Sequence, residues 1–130
     1  MRYFSIFVVL LCVIACKKDD EEIGCIEKQF IVIENAGAPA TARIGDQVNI
    51  IFNMTLSQAC QSFTELKSIE DGNTTYIDAK GEYDACIGCA QILIPVEATY
   101  QFSPKSKGVY NFIVNTETPD KQFSFSITIN

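Results

Sequence analysis

Phe123-Ser124-Phe125-Ser126-Ile127-Thr128-Ile129 decides the fold class. Apolar and polar residues alternate strictly through this stretch, and a period of two marks a strand that buries one face. Phe123, Phe125, Ile127 and Ile129 share that face, and each contributes roughly 1.5–3 kcal/mol when fully buried. Such a face needs another sheet to cover it. Upstream, Tyr110, Phe112 and Val114 alternate in the same way. Ala98, Tyr100 and Phe102 alternate with Thr99, Gln101 and Ser103, and Val48, Ile50, Phe52 and Met54 share a face of their own.

Further candidate strands are residues 29–34, 63–69 and 74–79, with a short apolar run Ile92-Leu93-Ile94 closed by Pro95. Turn signals separate them: Asn35-Ala36-Gly37-Ala38-Pro39, Ile44-Gly45-Asp46, Glu70-Asp71-Gly72-Asn73, Lys80-Gly81, the loop 104–108 and Thr118-Pro119-Asp120. No segment carries a helical period, an internal repeat or low complexity. The expectation is an all-β protein, an antiparallel β-sandwich of about seven or eight strands.

Gly108-Val109-Tyr110-Asn111-Phe112 resembles the strand signature of immunoglobulin-like (Ig-like) domains. The resemblance implies that Tyr110 plugs a corner and bonds backbone through its hydroxyl. Phe112 stands where antibody domains carry Cys, so their inter-sheet disulfide is not implied. Together with Ile44-Gly45-Asp46, Phe63 and Tyr100-x-Phe102, the series is similar to small Bacteroidota-type surface lipoproteins with Ig-like or fibronectin-like sandwiches. The resemblance spans about residues 29–130 and implies architecture rather than activity.

The N-terminus bears on the compartment. Arg2 precedes an apolar run from Tyr3 to Ala15, interrupted by Ser5. That run is shorter than the roughly 20 apolar residues of a membrane span and has the layout of a signal peptide. Val13-Ile14-Ala15-Cys16 resembles a lipobox, with a small residue before the cut and a thiol to carry diacylglycerol. Residues 1–15 are then a leader, 16–24 a lipidated acidic tether, and 25–130 the folded domain. The run Lys17-Lys18-Asp19-Asp20-Glu21-Glu22 cannot pack and reads as solvated. Lys18, Asp19 and Asp20 also resemble the surface-export signal of Bacteroidota-type lipoproteins. The implied location is the outer membrane, lipid-anchored through Cys16 and facing the medium, with the periplasmic face as the alternative.

Composition excludes several classes of function. The formal charge is −6 and the basic residues form no cluster beyond Lys17-Lys18, so no nucleic-acid partner is expected. The chain contains no His, which removes Ser-His-Asp and Cys-His sites and every His-ligated metal. No catalytic residue, cofactor or metal is expected.

Past Cys12 and Cys16, four cysteines remain: Cys25, Cys60, Cys86 and Cys89. An even count in an exported domain points to disulfides. The favoured arrangement joins Cys60 to Cys86 or Cys89 and leaves Cys25 to staple the entry of the domain. Cys86-Ile87-Gly88-Cys89 also admits a redox or zinc reading, but the flanking pattern supplies a turn rather than the helix start that activates such thiols. Glu82 and Asp84 alternate and are candidates to approach Glu70 and Asp71 as paired carboxylates for glycoside hydrolysis or calcium, but the favoured reading is a solvated acidic edge. Phe63, Tyr76 and Tyr83 are candidate exposed aromatics. The overall expectation is a non-enzymatic, envelope-anchored binding module that meets an envelope protein or a glycan. Its alternative is an accessory subunit of an outer-membrane complex, and behind both stands a thiol- or carboxylate-based enzyme.

Overall fold

In the computed structural model, which describes residues 24–130, the alternating segments become strands. The leader 1–15 and the positions Cys16, Lys18, Asp19 and Asp20 lie outside the described residues. The strands are β1 (Ile26–Ile31), β2 (Ile33–Gly37), β3 (Thr41–Ala42), β4 (Val48–Leu56), β5 (Gln61–Asp71), β6 (Thr74–Asp84), β7 (Ile94–Phe102), β8 (Gly108–Val114) and β9 (Phe123–Ile129). One 3-10 turn at Pro119–Lys121 connects β8 to β9, where the sequence signalled a turn at Thr118-Pro119-Asp120.

Two sheets form the sandwich. The smaller is β2-β4-β7, with β4 at its centre, paired with β7 along its whole length and with β2 over residues 51–54. The larger is built around β6. β5 covers one edge of β6, while β8 (against residues 74–77) and β1 (against 79–84) share the other. β9 and β3 extend that sheet beyond β8.

The core lies where the predicted faces meet. Val48, Ile50, Phe52 and Met54 are all buried, as are Phe112, Val114, Ile127 and Ile129. Phe112 stacks on Phe125 at 5.0 Å and meets Phe102 edge-on at 5.2 Å, an arrangement that satisfies the ring quadrupoles. The corner expected of Tyr110 is present: its hydroxyl donates to the Ser106 carbonyl at 3.2 Å and lies 2.9 Å from the Ser106 hydroxyl.

Several local expectations are corrected. Residues 29–34 are not one strand: the chain changes sheets at Val32, so β1 pairs with β6 and β2 with β4. Ile31 and Ile33 are both buried, so the apolar alternation continues across the change and hides it. The break placed at Asn35 comes later, because β2 runs on through Gly37. Lys80-Gly81 is no turn but part of β6. Gly81 is there because β1 and β5 close in on both sides: an added Cβ would sit 2.5 Å from the Ser62 carbonyl oxygen and collide with the Ile31 side chain. The run Ile92-Leu93-Ile94 is not a strand of its own. β7 starts at Ile94 and includes Pro95, which an edge strand tolerates. The sandwich is also not wholly antiparallel, since β6 with β8 and β3 with β9 are parallel pairs.

Asn115 completes the junction where β1 and β8 share an edge. It follows β8 in the left-handed region, with φ of 63°, and is buried. Its amide donates to the Ile33 and Lys121 carbonyls at 2.8 and 2.9 Å, and its carbonyl accepts from the Ile33 N–H at 2.9 Å. Its own N–H reaches the Ile77 carbonyl at 2.9 Å. The side chain thus supplies the backbone partners that Ile33 gives up as the chain crosses between sheets. Asp78, a buried acid nearby, is used the same way: it accepts from the Thr116 hydroxyl and from the Glu117 N–H at 3.1 Å.

Candidate functional site

The two ends of the sandwich differ in chemistry. At one end the chain enters at Cys25, which is bonded to Cys86, while Cys60 is bonded to Cys89. The Cα separations are 5.2 and 5.7 Å, within the ordinary range for disulfides. This agrees with the favoured pairing of Cys60 and leaves Cys25 as the staple at the entry. Cys86 and Cys89 are not bonded to each other, so each sulfur of the Cys-x-x-Cys segment is tied to a different distant partner. Cys25, Asp84 and Cys86 cluster closely, but two of the three are joined in one disulfide and offer no thiolate to a metal.

Backbone bonds reinforce the clasp. The Ala85 N–H donates to the Cys25 carbonyl at 2.6 Å, and the Ala59 N–H donates to the Ala90 carbonyl at 2.9 Å. The segment 85–93 is therefore fastened to both the domain entry and the β4–β5 turn. Yet it holds its apolar side chains outward: Ile87 is 57 % exposed, Ile92 47 % and Leu93 78 %. The sequence reading missed this patch. The signal was the apolar run Ile92-Leu93-Ile94, which gave no side because an apolar run alone does not tell core from surface.

The opposite end holds the Tyr110 corner, the loop 103–107 and the β5–β6 hairpin, whose Gly72 has φ of 60°. There the Asn73 side-chain amide donates to the Val109 carbonyl at 3.3 Å. The hairpin register also settles the carboxylates. Asp71 pairs with Thr74 at the start of β6, whereas Glu82 and Asp84 lie at its end against Ser62 and Ile26. At about 3.3 Å per residue the two acidic pairs are roughly 30 Å apart. The candidate approach of Glu82 and Asp84 to Glu70 and Asp71 does not occur, because β6 runs straight through Gly81.

Of the candidate aromatics, Phe63 packs against the core, and Tyr76 and Tyr83 are half-buried on β6. The Tyr83 hydroxyl donates to Glu27 at 2.5 Å. A groove of about 380 Å³ crosses the larger sheet between Phe30, Lys80 and Gly81, rimmed by Lys28, Glu65 and Glu82. Lys80 bonds Glu65 across it at 3.2 Å. An aromatic floor with charged rims is the kind of surface that receives a sugar ring or an extended peptide.

Tyr100 bridges the sheets on the open side, donating to Glu70 on β5 at 3.1 Å. Burial raises its pKa above the ordinary 10.0, and the neighbouring Glu70 charge adds to the rise. A raised folded-state value favours the neutral phenol in the fold. The contribution to stability is full below the unfolded value of 10.0 and is lost as pH rises through the folded value. Urea unfolding is expected to lose stability above pH ~10, and Tyr100→Phe to reduce that loss while leaving the slope near neutrality unchanged. An identical alkaline slope in the variant would assign the effect elsewhere.

Residues 50–126, from within β4 into β9, match the family described as the ORF11 beta-sandwich domain. No curated protein and no solved structure matches the chain.

Proposed function

The chain belongs to the ORF11 beta-sandwich domain family, and from that premise we propose that it is an exported, lipid-anchored, non-enzymatic interaction module of the cell envelope. The observation that carries the reading is the pairing of all four cysteines of the described residues into two disulfides. Such bonds persist in oxidising compartments outside the cytoplasm. The leader-like residues 1–15 and the lipobox-like Val13-Ile14-Ala15-Cys16 point the same way. An interaction role fits the remaining geometry: the acidic pairs are far apart, the Cys-x-x-Cys sulfurs are engaged separately, and the groove over Phe30 faces outward. The partner is an envelope protein or a glycan. The outer membrane is the anchoring surface, with Lys18, Asp19 and Asp20 directing the domain to face the medium.

The test is made in native cells. The N-terminal peptide of the mature protein is expected to start at Cys16 and carry acyl chains. Cys16→Ser is expected to shift the protein from the membrane to the soluble fraction. Protease added to intact cells is expected to remove the domain. An unmodified Cys16, or a Cys16→Ser variant that stays with the membrane, overturns the anchor. Survival of the domain under protease overturns surface display and leaves the periplasmic face. Cross-linking that reproducibly captures one membrane protein would identify an accessory subunit in place of a free-standing module.

A further inference from the structure

The clasped end combines three properties that are independent of one another. Ile87, Ile92 and Leu93 are exposed large apolar side chains on one segment. The segments 57–62 and 85–93 at this end contain no charged residue in a chain that is 20 % charged, and the adjoining Asp84 carboxylate is engaged by the Cys86 N–H at 2.9 Å. And the polypeptide enters the domain here, since Cys25 is bonded to Cys86 within the same segment. From these we propose that the clasped end is a lipid-docking face, with Ile87, Ile92 and Leu93 seated in the leaflet that holds the acylated Cys16. This rests on the anchored reading above and extends it to an orientation of the domain.

Reach and energetics support a bilayer as the occupant. Residues 16–24 span at most roughly 30 Å when fully extended, so an anchor at Cys16 keeps the clasped end near the headgroups. The opposite end, with the Tyr110 corner, is a further β6 length away. Three aliphatic side chains are too few to hold a free protein at a membrane. A domain already tethered needs far less, because the short linker makes the second contact intramolecular at millimolar effective concentration. Desolvation of charge, the main cost of entering the interface, is small where the loops carry none.

The absence of tryptophan from the sequence provides the assay. Full-length acylated protein carrying Leu93→Trp is reconstituted into phosphatidylethanolamine–phosphatidylglycerol vesicles with brominated acyl chains. Val109→Trp, at the opposite end and 49 % exposed, is the matched control. The expected result is a blue-shifted Trp at position 93, quenched at least roughly threefold more than at 109, for insertion of about 5–10 Å. Adding Ile87→Ser and Ile92→Ser to Leu93→Trp is expected to abolish the difference. Equal quenching at the two positions, on protein shown by mass to be acylated and by flotation to be vesicle-bound, overturns docking and leaves the anchor intact. A blue shift without bromine quenching also overturns it, by placing a protein surface or a second copy against the patch. Protein without acyl chains overturns the anchor and the docking together.

Discussion

Serine at all four of Cys25, Cys60, Cys86 and Cys89 is expected to leave the domain unfolded at about 37 °C. The chain-entropy relation gives about 4 kcal/mol for the 61-residue separation of Cys25 and Cys86 and about 3.5 kcal/mol for the 29-residue separation of Cys60 and Cys89. The two closed loops overlap, so the joint effect is smaller than the sum. It is still a large share of the roughly 5–15 kcal/mol that a domain of this size has in total. Each pair alone is expected to cost about 2–4 kcal/mol. Urea titrations with and without reductant are the measurement. The expected signature is a lower midpoint for each double variant, and no folded baseline for the quadruple variant. Superimposable curves for oxidised and reduced protein would show that the core carries the fold unaided.

Asn115→Ala is expected to be as costly as a large core truncation, at about 3 kcal/mol or more. Three side-chain bonds disappear, and the buried Ile33 N–H and carbonyl lose their partners. Each buried group left unsatisfied costs about 1–3 kcal/mol. Ala also pays a steric penalty at φ of 63° that Asn tolerates better. Asn115→Gly removes the same bonds but suits that φ, so it is expected to be milder than Ala by roughly 1 kcal/mol. Asn115→Asp can accept from the Ile33 N–H but cannot donate to either carbonyl, and it buries a charge. It is expected to fall at or below Ala near neutral pH. The order Gly, Ala, Asp in urea midpoint is the check. Three equal losses would mean that neither the backbone angle nor the charge matters at this junction.

What the sequence disclosed, and what it did not, follows from the range of each interaction. Period-two patterns are local, so the buried faces of β4, β8 and β9 were legible from Val48, Phe112 and Phe125 outward. The Tyr110 corner was implied by the resemblance of Gly108-x-Tyr110-x-Phe112 to Ig-like domains and not by periodicity, and its hydroxyl bonds a residue only four positions away. The change of sheet at Val32 was not legible. Ile31 and Ile33 are buried whichever sheet each belongs to, and only pairing with β6 and β4, far along the chain, separates them. Gly81 misled because glycine marks both turns and close approaches, and only the neighbours Ile31 and Ser62 decide between the two. Asn115 gave no signal at all: an Asn after a strand ordinarily begins a loop, and its partner Ile33 is 82 residues away. At the clasped end the cysteines announced cross-links. The outward aim of Ile87, Ile92 and Leu93 carried no local signal, because an apolar residue in a cross-linked segment can face core or solvent.

The bond between Cys25 and Cys86 also sets how the domain carries load. Any pull along the N-terminal segment arrives at Cys25 and meets two routes into the fold. One is the ladder of hydrogen bonds between β1 and β6, which in this geometry would be peeled from its end, one pair at a time. The other is a covalent link two residues beyond the end of β6, a strand gripped along both edges. The stiffer route takes the force, so β1 is never the strand being pulled away. A pull from the N-terminal side is shackled to the most firmly held strand, and it loads the middle of the larger sheet rather than its margin.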